Sequence, residues 1–181
     1  MKKINVVGTS ASGKTTFSRE LANKLNLAYI ELDDLLWQDD WKETNDPEFF
    51  QKIQDQIELA NLDSNKKGYV IDGNYSRTTH ITWANIDTII WIDLSFGLNL
   101  YQSLKRALSR AISKKQLWEN SNNTESFSRM FGHESIVKWM IKTHAKNRRK
   151  YKARMKDPQY SHIQFIRLKS RKQMRDFLEG L

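Results

Sequence analysis

Gly8-Thr9-Ser10-Ala11-Ser12-Gly13-Lys14-Thr15 satisfies the pattern G-x-x-x-x-G-K-[ST] at every fixed position, and Thr16 follows it. Residues of these types at this spacing do one kind of chemistry, the holding of a phosphate chain. Several negative charges must be met by backbone N–H groups and by the start of a helix, and glycines let the backbone curl close enough. On this reading Gly8, Ser10, Ala11, Ser12 and Gly13 wrap the phosphates and Lys14 reaches the terminal ones. Thr15 places its hydroxyl on Mg²⁺, and Thr16 lies near the inner phosphates.

A metal ion beside such a loop needs a carboxylate, usually at the end of an apolar strand, and two are offered. Asp72 follows Tyr69-Val70-Ile71, and Asp93 follows Ile89-Ile90-Trp91-Ile92. Neither precedes the glutamate that would activate water, which weighs against a dedicated ATPase. Asp72 is the preferred metal residue, because Asp72-Gly73-Asn74-Tyr75-Ser76-Arg77 adds a glycine turn and an arginine suited to a second phosphate or an acidic acceptor. The same run also reads as a strand-end turn with a solvent-facing arginine. Asp33 and Asp34 come just after another predicted strand, at the end of the sheet where open parallel α/β folds bind ligands. A carboxylate there can accept a proton from a substrate hydroxyl. It can equally cap the helix expected from about Leu35, and capping is the preferred role for Asp34. Trp37, Trp41, Phe49 and Phe50 supply either an aromatic wall for an acceptor ring or ordinary packing. His80, His133, His144 and His162 lack metal-ligand spacing and are assigned no role.

These groups have to be positioned by the rest of the chain. Its 181 residues are the size of one ordinary domain, and 39% hydrophobic with 11% aromatic residues is too apolar for a disordered chain. No internal repeat or linker is visible, so residues 1–181 are taken as a single domain. Short apolar runs over residues 2–8, 28–32, 68–72, 87–94 and 163–168 read as strands. Helical periodicity spans residues 13–25, 47–62, 98–112, 134–155 and 171–181. Strands alternating with helices predict an α/β fold, a parallel sheet covered on both faces. Residues 113–131, rich in Ser and Asn, read as a mobile loop or short-helix insertion.

Composition narrows the classes further. There is no cysteine, hence no disulfide, thiolate metal site or cysteine nucleophile. No run approaches the length of a membrane helix and no cleavable leader is evident, so a soluble protein with no membrane partner is expected, in the cytoplasm. The net charge of +9 conceals an asymmetry: residues 1–94 carry 10 basic and 15 acidic side chains, residues 95–181 carry 20 and 6. A basic half can signal nucleic acid, a site built round polyphosphate, or a solvated helix face.

GTSASGKTT, the LDDLLW of residues 32–37 and the IDGNYSR of residues 71–77 together resemble the adenylate-kinase-like branch of P-loop kinases. With WMIKTHAKNRRK (139–150) and LKSRKQMRDFL (168–178), the chain resembles over nearly its whole length the bacterial proteins labelled DNA topology modulation protein. The resemblance implies a three-layer P-loop fold with a five-stranded parallel sheet in the order 2-3-1-4-5, and a lid at residues 113–131. It implies that Asp72 and Gly73 close the third strand and that Arg77 grips the acceptor. It places Arg106 on phosphate, puts Gln102 where an adenine-stacking arginine would stand, and passes Lys169, Ser170 and Arg171 along the adenine. Arg148, with Arg149, is implied to close over the transferring phosphate.

The resulting expectation is an ATP-binding, Mg²⁺-requiring phosphotransferase acting on a small acceptor, possibly a nucleotide or nucleoside, with Lys14, Asp33, Arg77, Arg106 and Arg148 as its catalytic set. Two other readings stand beside it. One is a nucleotide-switched, nucleic-acid-associated protein using the basic helix of residues 138–156 as a positive stripe. The other is a nucleotide binder without turnover.

Overall fold

The protein is described from a computed structural model, over residues 1–113, 116–118, 121–124 and 135–181. Five parallel strands form the central sheet: β1 (Lys3–Gly8), β2 (Ala28–Glu31), β3 (Tyr69–Asp72), β4 (Thr88–Ile92) and, after the short pair β5 (Gln116–Trp118) and β6 (Ser121–Thr124), β7 (Gln164–Leu168). Their spatial order is β2-β3-β1-β4-β7. This is the 2-3-1-4-5 order expected, with β7 as the fifth strand. The register sets Val6 beside Asp72 and Gly8 beside Ile92, so the loop after β1 opens next to the ends of β3 and β4.

Side-chain alternation explains why the strands read as unbroken apolar runs. Ile4, Val6, Val70, Ile90 and Ile92 point to one face and pack with Phe17, Leu21 and Ala22 of α1 (Lys14–Leu25) and Leu178 of α7 (Arg171–Glu179). Val7, Tyr69, Ile71, Ile89 and Trp91 point to the other face. There they meet Leu32 and Leu36 of α2 (Leu32–Leu36), Phe49 and Ile53 of α3 (Asp46–Leu62), and Tyr151 of α6 (Ile136–Arg154). The short α4 (Thr79–Thr82) and the longer α5 (Phe96–Ser113) complete the helices described. The result is three layers, helices, sheet, helices. Among the described residues no helix is long and apolar enough to cross a membrane.

Local sequence sets the helix starts. Asn45 accepts a hydrogen bond from the Glu48 N–H at 3.1 Å and Pro47 sits in the first turn, so α3 begins where its sequence says it should. Ser170 caps α7 in the same way, accepting from the Gln173 N–H at 3.1 Å.

Two expectations need correction. Residues 113–131 were expected to be a loop or short helix, but Gln116–Trp118 and Ser121–Thr124 form an antiparallel pair. The remainder of that proposed lid lies outside the described residues, as does His133. Asp34 is not a helix cap: α2 starts three residues earlier than expected, with Glu31 as its first flanking residue, and Asp33 and Asp34 lie in its first turn. Carboxylates there suit the positive end of a helix.

The turn after β3 is what brings α2 to the sheet. The Asn5 side-chain amide donates to the carbonyls of Ile71 (2.9 Å) and Gly73 (3.0 Å), and the Trp83 indole N–H donates to Asn5 Oδ1 at 2.8 Å. Gly73 has φ +142°, and a Cβ added to it would lie 2.8 Å from the Leu32 side chain. Gly73→Ala is therefore expected to destabilise the fold by about 1–3 kcal/mol and to lower Tm by roughly 2–4 °C per kcal/mol, measured by calorimetry.

Candidate functional site

The loop between β1 and α1 is built to face anions. Gly8 packs so tightly that a Cβ would lie 2.6 Å from the Ile92 carbonyl oxygen, so only glycine lets the loop leave the sheet here. The Ser12 N–H bonds to the Thr9 carbonyl at 3.2 Å, and Asn99 of α5 donates to the Ser10 carbonyl at 2.9 Å, which together hold the curl. Gly13 precedes α1 in a left-handed conformation and no side chain caps the helix. The first N–H groups of α1 are thus left for a ligand. Lys14 folds back, its Nζ 3.5 Å from the Thr9 carbonyl oxygen. Ser10 and Thr15 are half-buried, Ala11 and Ser12 are buried, and Thr16 is exposed beyond them.

Strand parity separates the two aspartates. Asp72 continues the face of Val70, toward α1, whereas Asp93 falls on the opposite face, toward α6. Asp72 is buried beside Lys14 and the Thr15 hydroxyl. The Tyr29 hydroxyl lies 3.2 Å from Asp72 Oδ2 and 2.9 Å from Glu31 Oε2, and its single proton serves one of them at a time. Asp72 Oδ1 is buried without a hydrogen-bond partner. An orphaned carboxylate oxygen beside a threonine hydroxyl fits Mg²⁺, which takes few protein ligands and completes its shell with water and phosphate oxygens. The described residues contain no cluster of three His, Asp or Glu side chains able to hold a metal by themselves.

Burial pushes the Asp72 carboxyl up to about 6, against the pull of Lys14 and Thr15 and with the help of Asp33 and Glu31. Between the ordinary value of 3.8 and about 6 the folded protein keeps a proton that the unfolded chain has released. Stability contributed at this site therefore falls as pH rises across that window and is level above it. Thermal melts of the ligand-free protein are expected to show this fall relative to Asp72→Asn, and parallel profiles for the two proteins would contradict it.

The residues expected to meet an acceptor lie on α2 and in the turn after β3. The Tyr75 hydroxyl donates to Asp33 Oδ1 at 2.5 Å. Arg77 donates to Glu43 and Asp46, each at 2.9 Å, and its guanidinium lies over the rings of Phe49 and Tyr75. Asp33, Tyr75 and Arg77 are thus brought together, with Arg77 already neutralised by two carboxylates.

The other arginines divide. Asp93 Oδ1 holds the Arg148 Nε at 3.3 Å, and Arg167 binds Asp93 Oδ2 through both Nε and Nη2. Arg149 is exposed, and Arg106 is half-buried on α5. Arg171 donates to Gln102 Oε1 at 2.7 Å, so a guanidinium does stand beside position 102, supplied by the first residue of α7. The Ser170 hydroxyl is committed to its cap, while the Lys169 N–H donates to Gln173 Oε1 at 2.6 Å.

The aromatic residues do not form one wall. Trp37 and Trp41 pack with Trp118 of β5, at centroid distances of 6.0 Å and 5.7 Å. Asn122 and Asn123 of β6 meanwhile bond to the backbone of Asp40, Trp41 and Gln38. Phe49 is core, and Phe50 packs edge-on against His80. His144 is buried, its Nε2 3.2 Å from the Leu94 carbonyl oxygen, and His162 is exposed.

Sequence reasoning gave no role to Tyr75, Tyr29, Asn99 or Arg167. Tyr75 was visible inside IDGNYSR, but a single tyrosine has no spacing that announces its partner.

Residues 4–124, more than half the chain, match the family described as AAA domain. A shikimate kinase from Sulfurihydrogenibium sp. (strain YO3AOP1) is 28% identical over 138 residues, covering 68% of this chain and 82% of that protein. Among solved structures, the shikimate kinase from Acinetobacter baumannii in complex with shikimate aligns with a TM-score of 0.56 at 12% identity, over 99% of this chain and 90% of that one. An unliganded sugar kinase from Janibacter sp. HTCC2649 aligns at 0.54 and 14%, over 99% and 91%. At these identities the structures establish likeness of fold, that of P-loop kinases.

Proposed function

This chain belongs to the AAA domain family, and from that premise we propose that it is an ATP-dependent phosphotransferase moving the γ-phosphate of Mg-ATP to a hydroxyl of a small acceptor. The observation that carries the reading is the placement of Asp33. A half-buried carboxylate lies near enough to Asp72 to act on its charge, and Asp72 itself lies beside Lys14 and Thr15, whereas an ATPase needs no acceptor base. The kinases named above support the same reaction class.

In this reading the β1–α1 loop and the uncapped start of α1 hold the phosphates, and Lys14 swings from the Thr9 carbonyl to the terminal ones. Thr15 and Asp72 would hold Mg²⁺, which would supply charge neutralisation to the phosphates during transfer. Asp33 takes the proton of the acceptor hydroxyl, and Arg77 orients the acceptor. Arg106 touches phosphate, Ser170 contributes backbone along the base, and Arg171, beside Gln102, offers the base a planar cation. Arg148 enters the site only by leaving Asp93. Transfer of this kind is catalysed by positioning and charge neutralisation, and closure over the site keeps water from the γ-phosphate.

The test is ADP release from Mg-ATP across nucleoside monophosphates, nucleosides and hydroxylated metabolites, shikimate included, each against a blank without acceptor. An acceptor that raises the rate about tenfold, or 1.4 kcal/mol of barrier, names the substrate class. A panel in which ADP release never exceeds the blank defeats the reading for those compounds. The nucleic-acid reading gains nothing beyond its stripe: Lys142, Lys146, Arg149 and Lys152 are exposed along α6, as on any solvated basic helix.

A further inference from the structure

We propose that Tyr75 is a positioning residue for Asp33, fixing which carboxylate oxygen receives the proton of the acceptor hydroxyl. This inference rests on the reading of Asp33 as the general base.

The two residues lie 42 apart in sequence and are joined by one bond, from the Tyr75 hydroxyl to Asp33 Oδ1 at 2.5 Å. Burial and the charge of Asp33 push the Tyr75 hydroxyl well above its ordinary range, so it stays protonated and remains the donor. Its ring is held in place. Phe49 meets it edge to face at 5.7 Å, and the Arg77 guanidinium lies 5.6 Å from its centroid, tied in turn to Glu43 and Asp46. The Tyr75 carbonyl accepts from the Thr78 N–H at 3.1 Å and from the Thr78 hydroxyl at 2.9 Å. Both ends of Tyr75 are therefore anchored before it reaches Asp33.

The consequence is an asymmetric carboxylate. Oδ1 is engaged, the plane of the group can no longer turn freely, and Oδ2 has no hydrogen-bond partner among the described residues. The acceptor O–H proton passes to Asp33 Oδ2, the acceptor oxygen forms a bond to the γ-phosphorus, and the bond from that phosphorus to the bridging oxygen breaks. The electron pair of that bond leaves on ADP. A base that is merely near but free to rotate loses part of its effective concentration, and small misplacements of reacting groups cost up to about 10² in rate.

The test uses the full chain, γ-³²P-labelled Mg-ATP, and a deproteinised bacterial metabolite extract as the acceptor pool. Rates of organic phosphate formation are read over a dilution series of the extract. This yields a maximal rate and a half-saturating dilution without the acceptor being named. Tyr75→Phe removes the hydroxyl alone and keeps the ring contacts. Its maximal rate is expected to fall about tenfold, with half-saturation unchanged within about twofold and Tm within about 2 °C. In an Asp33→Asn background the same substitution is expected to cost nothing more. A Tyr75→Phe protein as fast as wild type overturns the proposal, as does a loss confined to half-saturation or one of equal size in the Asp33→Asn background. A wild-type protein that labels nothing in the extract defeats the phosphotransferase reading itself, an outcome distinct from an active wild type unaffected by the substitution.

Discussion

Lys14→Ala is expected to lower phosphoryl transfer by about 10³-fold or more while leaving the fold intact. The size follows from what the ammonium does. Charge spreads over the γ-phosphate oxygens in the transition state, and a cation placed there acts in a closed, water-poor site where its interaction is strong. The surroundings of Lys14 explain why the cost does not extend to folding. Lys14 sits half-exposed in the first turn of α1, and its side-chain hydrogen bond among the described residues, to the Thr9 carbonyl, is a long one of 3.5 Å. Alanine is also the better helix former, so α1 is not weakened. Residual ATP binding is expected, because the loop amides and the helix start remain. The measurement is γ-phosphate transfer in variant and wild type, beside circular dichroism and a thermal melt. Undiminished transfer would defeat the assignment of the loop.

Much of this arrangement could be read without a structure, for reasons that are local. The phosphate loop declares itself because its glycines and lysine are contiguous and flanked by an apolar run and a helical one. The central strands declare themselves because burial on both faces leaves nothing but apolar residues to choose from. Asp72 is preferred over Asp93 for the glycine turn and arginine that follow it, and the structure adds a separate distinction through pleat parity. Asp72 shares the face of Val70 and α1, while Asp93 turns to Arg148 and Arg167 on the other side.

What sequence could not reveal depends on partners far away in the chain. Gln116–Trp118 and Ser121–Thr124 carry no apolar alternation, so nothing marks them as strands. Their order comes from Trp37 and Trp41 and from bonds such as that of the Asn122 N–H to Asp39 Oδ1 at 2.7 Å, 83 residues apart. Tyr75 is silent for the same reason, since only the close approach of α2 over Gly73 makes its hydroxyl an oxygen's neighbour. The arginines of α6 looked alike in sequence. It is Asp93, at the end of β4, that separates Arg148 from the exposed Arg149.

Asp33→Asn tests the acceptor side with the same stringency and is expected to lower kcat by about 10²–10⁴, the range for loss of a positioned general base. Asparagine is nearly isosteric, and its carbonyl oxygen can still accept from Tyr75, so the local geometry survives while the capacity to take a proton does not. Because the acceptor is held by other contacts as well, its KM is expected to move far less than kcat, the signature of an interaction made in the transition state. ATP affinity should be unchanged, since on the proposed reading Asp33 meets the acceptor and not the nucleotide. This sets Asp33→Asn apart from Lys14→Ala, which removes a contact to the nucleotide itself. Any ATP hydrolysis measured without acceptor should fall with Lys14→Ala and survive Asp33→Asn, because water attacking the γ-phosphate does not require a base placed for a bound hydroxyl. Equal loss of hydrolysis and transfer in Asp33→Asn would move Asp33 from the acceptor to the metal, alongside Asp72. A transfer rate within about twofold of wild type would remove it from the mechanism.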